Sequence, residues 1–386
     1  MKLGAFHRQV GYLLLVSSLG LIAIGLVMLA SAGGKFVLDR PSLWGGLLVR
    51  QLAWVGLGGI TCGILARWDY HWFLHRSAFA LALAFFCLLG CFVPGLGHKV
   101  HGSWRWIEVA GWRFQPSELA KGALVVFLAA YLGHPNRKLS RFTEACAIPV
   151  AATLLLAGPI LVSRDLGSVL FLLLTLGALL FCAGCPARWW VPVPVAGFLA
   201  TLVFALAIPE RRARIVEFFR HGEDHLGKGY QIYQALIALG SGGTQGLGLG
   251  NSRQKMYYLP ESTTDFIFPI IGEELGLWFA LSVVFAYVLV VLCGGWISLH
   301  APDRQGILLG TGLTLLVGAQ AVANLGVVTG LLPNKGLPLP FVSYGGSNLL
   351  LCMGALGILF NLQRQAQWKD DEDCSLPERY RQSVRI

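Results

Sequence analysis

Charge is scarce in this sequence: Asp, Glu, Lys and Arg make up 13% of its 386 residues, about half their usual share in a soluble globular chain. So few ionised groups cannot clothe a water-facing surface of this size, and 55% of the chain is apolar. An ordinary soluble domain is excluded. Also missing is a solvated domain with a basic stripe and interleaved aromatics. The net charge of +10 is scattered between apolar runs, so it points to membrane lipids with anionic headgroups or to a phosphorylated substrate, and not to nucleic acid. The nine cysteines are an odd number and most lie inside apolar runs. Cys182-Ala183-Gly184-Cys185 has redox-like spacing but no βαβ context, so the cysteines read as small packing residues. There is no repeat of fixed period and no second domain.

What the chain has in abundance is apolar runs of spanning length. A helix needs about 20 apolar residues to cross roughly 30 Å of hydrocarbon, and candidate spans fall near 11–32, 47–66, 77–96, 115–132, 145–162, 166–185, 189–208, 266–292, 306–329 and 342–362. These runs are too long for barrel strands, and open sheets leave backbone groups unsatisfied in lipid. The expected fold is all-α: one polytopic domain over 1–362 with about ten transmembrane helices and a large extracytoplasmic loop at 209–265 between the seventh and eighth. The tail 363–386 has no apolar period and reads as a disordered cytoplasmic end. The first run ends in Ala30-Ser31-Ala32 like a signal peptide, but it is longer than a signal core and reads as a span. Ten helices put both termini on one face. Lys and Arg mark that face as cytoplasmic when 209–265 is set aside as a folded binding loop, and the bias vanishes when that loop is counted.

Polar chemistry gathers between these runs. The stretch from Gly227 to Leu275 is the least apolar long segment, and in it Asp265 stands where polar loop gives way to apolar helix, with Glu261 four residues earlier and Arg253 and Lys255 upstream. Glu118 and Lys121 follow Pro116 at i, i+3 on one face of a predicted helix; they are either a buried packing pair or a cavity lining in which Lys121 meets a phosphate. Arg105, among the tryptophans of an outer loop, either faces substrate or lies in an interfacial anchor. Ser163-Arg164-Asp165 reads as a hairpin with a structural Arg–Asp pair. Arg211, Arg212 and Arg214 either snorkel to the interface or hold a diphosphate by bidentate contacts. Gly222 to Lys228 fits a phosphate-loop pattern, but Gly229 stands where a Ser or Thr hydroxyl is required and no strand precedes it. The glycines from 240 to 250 fail the dinucleotide spacing and suit a close backbone turn. His71 and His75 have i, i+4 spacing with nothing nearby to complete a metal site. Finally, the prolines at 333, 338 and 340 break the chain between Asn324 and Asn348 into a re-entrant loop carrying Ser343, of the kind tolerated only where it lines a cavity or is buried in protein.

Several of these segments together resemble the SEDS family (shape, elongation, division and sporulation), most closely its division-type members of the FtsW and SpoVE kind. They are Phe114-Gln115-Pro116-Ser117-Glu118 with Lys121, Gly229-Tyr230-Gln231, Gly246-Leu247-Gly248-Leu249-Gly250-Asn251-Ser252 with Gln254-Lys255, Tyr258-Leu259-Pro260-Glu261, Thr264-Asp265-Phe266-Ile267-Phe268, Glu273-Glu274-Leu275-Gly276, and the stretch from Pro333 to Ser347. They run in the family's order across residues 100 to 350. His101, Ser163-Arg164-Asp165 and Ser347-Asn348 depart from the family's usual residues. The resemblance implies a ten-helix peptidoglycan glycosyltransferase at the outer face of a bacterial cytoplasmic membrane, at the division septum. It would polymerise lipid II beside a class B penicillin-binding protein and other division proteins. The family's catalytic aspartate falls on Asp265.

That reaction needs a sugar hydroxyl to attack an anomeric carbon with loss of a polyprenyl diphosphate. One positioned carboxylate is the minimum requirement, and Asp265 is assigned as general base. Charge on the leaving diphosphate would be met by Arg211, Arg214, Lys121 or Lys255, or by a divalent cation such as Mg or Mn. Glu118, Arg105, Glu261 and Ser343 complete the expected substrate contacts. The rival reading is a transporter or flippase of lipid II, since an intramembrane ion pair and broken helices also suit a transport path; an elongation-type polymerase is the nearer alternative.

Overall fold

A computed structural model describes residues 2–32, 41–100, 103–109, 111–219, 229–256 and 258–375. In chain order the elements are α1 Lys2–Ala32, α2 Pro41–Arg67, α3 Tyr70–His75, α4 Ser77–Gly90, β1 Gly97–Val100, β2 Ser103–Val109, β3 Trp112–Phe114, α5 Pro116–Leu132, a π-helical turn Thr143–Ala147, α6 Ile148–Val162, α7 Leu166–Cys182, α8 Ala187–Trp190, α9 Pro192–Ala207, α10 Pro209–Phe219, α11 Tyr230–Gly242, α12 Ile267–Leu299, α13 Arg304–Val328 and α14 Gly346–Ser375. Every apolar run singled out in the sequence is helical. Among the described residues, seven helical segments are long and apolar enough to cross a membrane, and α4 and α7 are apolar but shorter. α13 and α14 are the most enclosed spans and α2 and α9 the least, which places the former at the protein core and leaves the latter to face lipid.

Capping chemistry sets the helix starts. Pro116 opens α5 and Pro192 opens α9, where a missing N–H costs nothing. Asp165 caps α7 through the Ser168 N–H, and Asp303 caps α13 through the Gly306 N–H at 2.8 Å, each satisfying a donor that has no partner inside the helix. Asp303 also accepts from Tyr70 Oη at 2.6 Å and lies 3.1 Å from His71 Nε2, so His71 joins this carboxylate rather than a metal.

The segment 209–265 is less open than expected, since it contains α10 and α11, and α11 packs on α12. α12 is broken at Gly276, whose φ is 79° and ψ −180°. A break of this kind frees backbone groups that lipid cannot satisfy, and the glycine-rich turn takes them up. Leu247 N donates to Glu273 O and Gly248 N to Glu274 O, both at 2.9 Å, and Leu277 N donates to Gly243 O at 3.0 Å. A Cβ on Gly246 would lie 2.3 Å from Glu274 O, and one on Gly276 2.5 Å from Gly246 N. Both positions therefore exclude side chains.

Two further features differ from expectation. The stretch around Arg105, read as an outer loop, contributes to an antiparallel sheet of order β1-β2-β3, with Gly97 opposite Ile107 and Ile107 opposite Phe114. α14 continues past Leu362 to Ser375, so the start of the tail is helical because the last span carries on through it. The remainder of the tail, His101 and most of the phosphate-loop look-alike lie outside the described residues.

Candidate active site

Asp265 immediately precedes Phe266, the N-cap of α12. The turn that delivers it closes on Glu261, whose φ of 56° is uncommon for a residue with a side chain. Thr264 N and Phe266 N both donate to the Glu261 carbonyl, at 3.1 and 3.2 Å, and Thr264 Oγ1 donates to the Glu261 carboxylate at 2.9 Å. From α13, Asn324 Nδ2 donates to the carbonyls of Asp265 at 2.8 Å and Leu337 at 2.6 Å. The loop between α13 and α14 is laced to the same turn: Tyr344 N donates to Thr263 O at 3.0 Å, and Ser343 Oγ donates to Thr264 O while accepting from Leu339 N. Gly336 passes directly over the carboxylate, since a Cβ there would stand 2.6 Å from Asp265 Oδ2. A side chain at this position would have to displace the carboxylate.

Cations converge from two other segments. Arg105 on β2 donates to the Arg164 carbonyl at 3.0 Å, and Arg211 on α10 donates to the same oxygen. Arg164 has φ 62°, so the hairpin offers its carbonyl to two guanidiniums. Asp165 is not paired with Arg164 as expected. Its carboxylate accepts from Ser168 Oγ at 2.7 Å and Ser117 Oγ at 3.4 Å, with the Arg105 charge beside it. Arg105, Ser117, Ser163 and Asp165 line one pocket walled by Leu88, Trp104 and Pro159.

The electrostatics follow from this crowding. Burial raises the Asp265 carboxyl to about 7, Glu261 adds in the same direction, and Arg105 opposes it. Burial lowers Lys335 to about 8, with Asp165 raising it and Arg211 lowering it. Burial also works against ionisation of Asp165, but Arg105 and the Ser168 hydroxyl and N–H outweigh it and hold that carboxyl below its ordinary value. A carboxylate near neutral beside an assembly of Arg105, Arg211 and Lys335 can accept a proton and stabilise an anionic leaving group.

The structure brings Asp265, Glu261, Arg105 and Arg211 to one end of the molecule and sorts the other expected contacts elsewhere. Lys121 is 1% exposed, its Nζ 2.8 Å from Glu118 Oε1 and 3.2 Å from Gln320 Oε1. Asn348 donates to the other Glu118 oxygen at 3.1 Å, and Gln320 Nε2 donates to Pro338 O at 3.0 Å. The pair thus reaches the loop between α13 and α14, which covers Asp265, through Gln320 rather than meeting a phosphate. Lys255 is 2% exposed and held 2.8 Å from Glu274 Oε1. Glu273 and Glu274 also receive the N–H groups of Gly250, Ser252 and Arg253, so Lys255 pins the turn that mends the break in α12. Ser343 acts on the backbone preceding Asp265. The side chain of Arg214 lies outside the described residues. Sequence reasoning missed Lys335 and Asn324 as members of the site; the available signal was a lone cation and a lone amide within or beside the proline-broken loop. No group of three or more His, Cys, Asp or Glu suited to a metal occurs among the described residues. The charged groups acting on Asp265 are the Glu261 carboxylate and the Arg105 guanidinium, so the described residues do not by themselves make up a divalent-cation ligand set.

The cell-cycle protein family that groups FtsW, RodA and SpoVE matches residues 12–368. Stage V sporulation protein E of Bacillus subtilis is 36% identical over 92% of this chain and 97% of its own length. The probable peptidoglycan glycosyltransferase FtsW of Geobacter metallireducens is 36% identical over 90% of this chain and 93% of its own. Among solved structures, a chain of a peptidoglycan synthase complex studied for its coordination of polymerization and crosslinking is similar with a TM-score of 0.73 at 27% identity, covering 92% of this chain and 97% of that one. The rod shape determining protein RodA of Thermus thermophilus is similar with a TM-score of 0.67 at 25% identity, over 92% and 96% of the two chains. Matched in sequence along nearly its whole length and in fold to solved relatives, this chain belongs to the FtsW, RodA and SpoVE family of cell-cycle proteins.

Proposed function

We propose that this integral membrane protein is a peptidoglycan glycosyltransferase of the division type that polymerises lipid II, with Asp265 as general base. The observation that carries the reading is the placement of a carboxyl of raised pKa beside Arg105 and Glu261, with Arg211 and Lys335 gathered at the same end. In the reaction the 4-hydroxyl of one lipid-linked disaccharide attacks the anomeric carbon of another. A new C–O bond forms, the bond to the diphosphate breaks, and its electron pair leaves with the diphosphate. The hydroxyl proton passes to Asp265, whose pKa near neutral suits a general base at neutral pH. Arg105, Arg211 and Lys335 offset the diphosphate charge. Attack from the opposite face inverts an α-linked donor to a β-linked glycan.

The division assignment rests on Gly246 to Ser252 with Gln254-Lys255 and on the relatives named FtsW and SpoVE. On this reading both termini are cytoplasmic, the Asp265 end faces outward at the septum, and a class B penicillin-binding protein is the partner. The sealing of Lys121 and the gathering of polar groups at one end speak for an enzyme over a transporter. Formation of glycan from labelled lipid II by the purified protein, with and without that partner, tests the proposal. Loss of polymer on Asp265→Asn is expected, and polymer made at the wild-type rate would overturn it.

A further inference from the structure

At the end of the molecule remote from Asp265, α1 and α14 leave a groove between them. Ser31, near the C-terminus of α1, is 2.6 Å from Glu274 in the turn region of α12. Arg8 lies 23 residues below it on the same helix, or about 35 Å at 1.5 Å per residue, and so stands at headgroup depth across roughly 30 Å of hydrocarbon. The groove is lined by Arg8, Tyr12 and Leu15 on α1 and by Phe360, Arg364 and Gln367 on α14. Each trio has i, i+4, i+7 spacing and therefore shares one helix face. The two helices run in opposite directions, yet both present the same gradient, with charge or amide towards the membrane edge and aromatic or aliphatic side chains one to two turns inward.

The walls are built. Gln363 Nε2 donates to His7 O, and Gly11 approaches so closely that a Cβ would lie 2.2 Å from Gln363 Oε1. Arg364 is anchored by donation to Arg67 O at 2.7 Å. Arg8 and Tyr12 are exposed, and no carboxylate lines the groove among the described residues. A site with guanidiniums above and apolar side chains below matches one molecule with both properties, a phospholipid. We propose that this groove binds a glycerophospholipid with an anionic headgroup from that leaflet, its phosphate between Arg8 and Arg364 and an acyl chain along Tyr12, Leu15 and Phe360. Arg8, Tyr12 and Leu15 supply three of those contacts, so the lipid would clasp α1 to the last span.

Native mass spectrometry of the full-length protein in detergent, with phosphatidylglycerol or phosphatidylcholine added, tests this. Phosphatidylglycerol adducts should persist at roughly 30-fold lower lipid concentration than phosphatidylcholine adducts, from about 1 kcal/mol for each of the two arginines at the headgroup. Arg8→Gln should weaken phosphatidylglycerol about fivefold. Arg76→Gln, at an exposed arginine stacked on Trp72 outside the groove, should leave it unchanged. Gln367→Ala gives a second reading should Arg8→Gln lower the melting temperature. Equal retention of the two lipids, equal effects of Arg8→Gln and Arg76→Gln, or displacement of the lipid by millimolar inorganic phosphate would each overturn the proposal.

Discussion

Replacing Asp265 by Asn separates catalysis from folding, because the two effects are expected to have opposite sign. The carboxyl is raised from 3.8 to about 7 by burial and by Glu261. In the unfolded chain it ionises near 3.8, so between that pH and about 7 the unfolded state loses a proton that the folded state keeps. Stability supplied by this group is therefore complete at low pH and lost as the pH rises towards 7. Three units at 1.36 kcal/mol each set a ceiling of about 4 kcal/mol, and the partial exposure of Asp265 brings the real value below it. Asn cannot ionise, so the variant should melt at or above the wild-type temperature near pH 8, with the difference shrinking as the pH approaches 4. Its polymerase activity should meanwhile fall by about 100- to 10,000-fold, the usual contribution of a general base. Labelled lipid II turnover and thermal melting of the same preparation read both effects. A variant that loses activity because it melts lower at every pH would refute the reasoning, since Asp265 would then be a structural residue.

Three further outcomes follow from the packing. With a base near 7 and Lys335 near 8, kcat/KM should rise through about pH 7 and fall through about pH 8, and Lys335→Met should abolish the upper limb while raising KM; a surviving upper limb would assign it to another group. Lys121→Met strands the buried Glu118 carboxylate and should cost about 3–5 kcal/mol, whereas Glu118→Gln with Lys121→Met should recover much of that; melting curves showing additive losses would contradict a buried pair. Gly276→Ala must place a Cβ 2.5 Å from Gly246 N at φ 79°, so a loss of roughly 1–3 kcal/mol and lower yield in the membrane are expected, and an unchanged melting temperature would show that the break in α12 is not required.

Much of the site was legible before any coordinates because its signals are local. Asp265 stands out as the carboxylate at a polar-to-apolar boundary, and Gly246 lies in a stretch that reads as a close turn, whereas Gly276 stands out only as part of a family-like segment. The lysines were harder. Lys121, Lys255 and Lys335 all look available in the sequence, but Glu118 and Gln320 seal the first and Glu274 the second, while the third is brought towards Arg211 and Asp165. Sequence spacing says little about this, because the deciding partners are distant along the chain: Gln320 meets Lys121 from 199 residues away.

Hydropathy is additive along a chain, so the sequence by itself determined that this protein spans a membrane, where its long apolar helices lie, and which segment carries the acid. Whether a cation is sealed in a pair or faces a substrate depends on which carboxylate, carbonyl or amide arrives from another helix. Only the packing of α5 against α13 and α14, and of the glycine turn against the broken α12, decided that Lys121 and Lys255 are held by carboxylates while Arg105, Arg211 and Lys335 gather at the end of the molecule that carries Asp265.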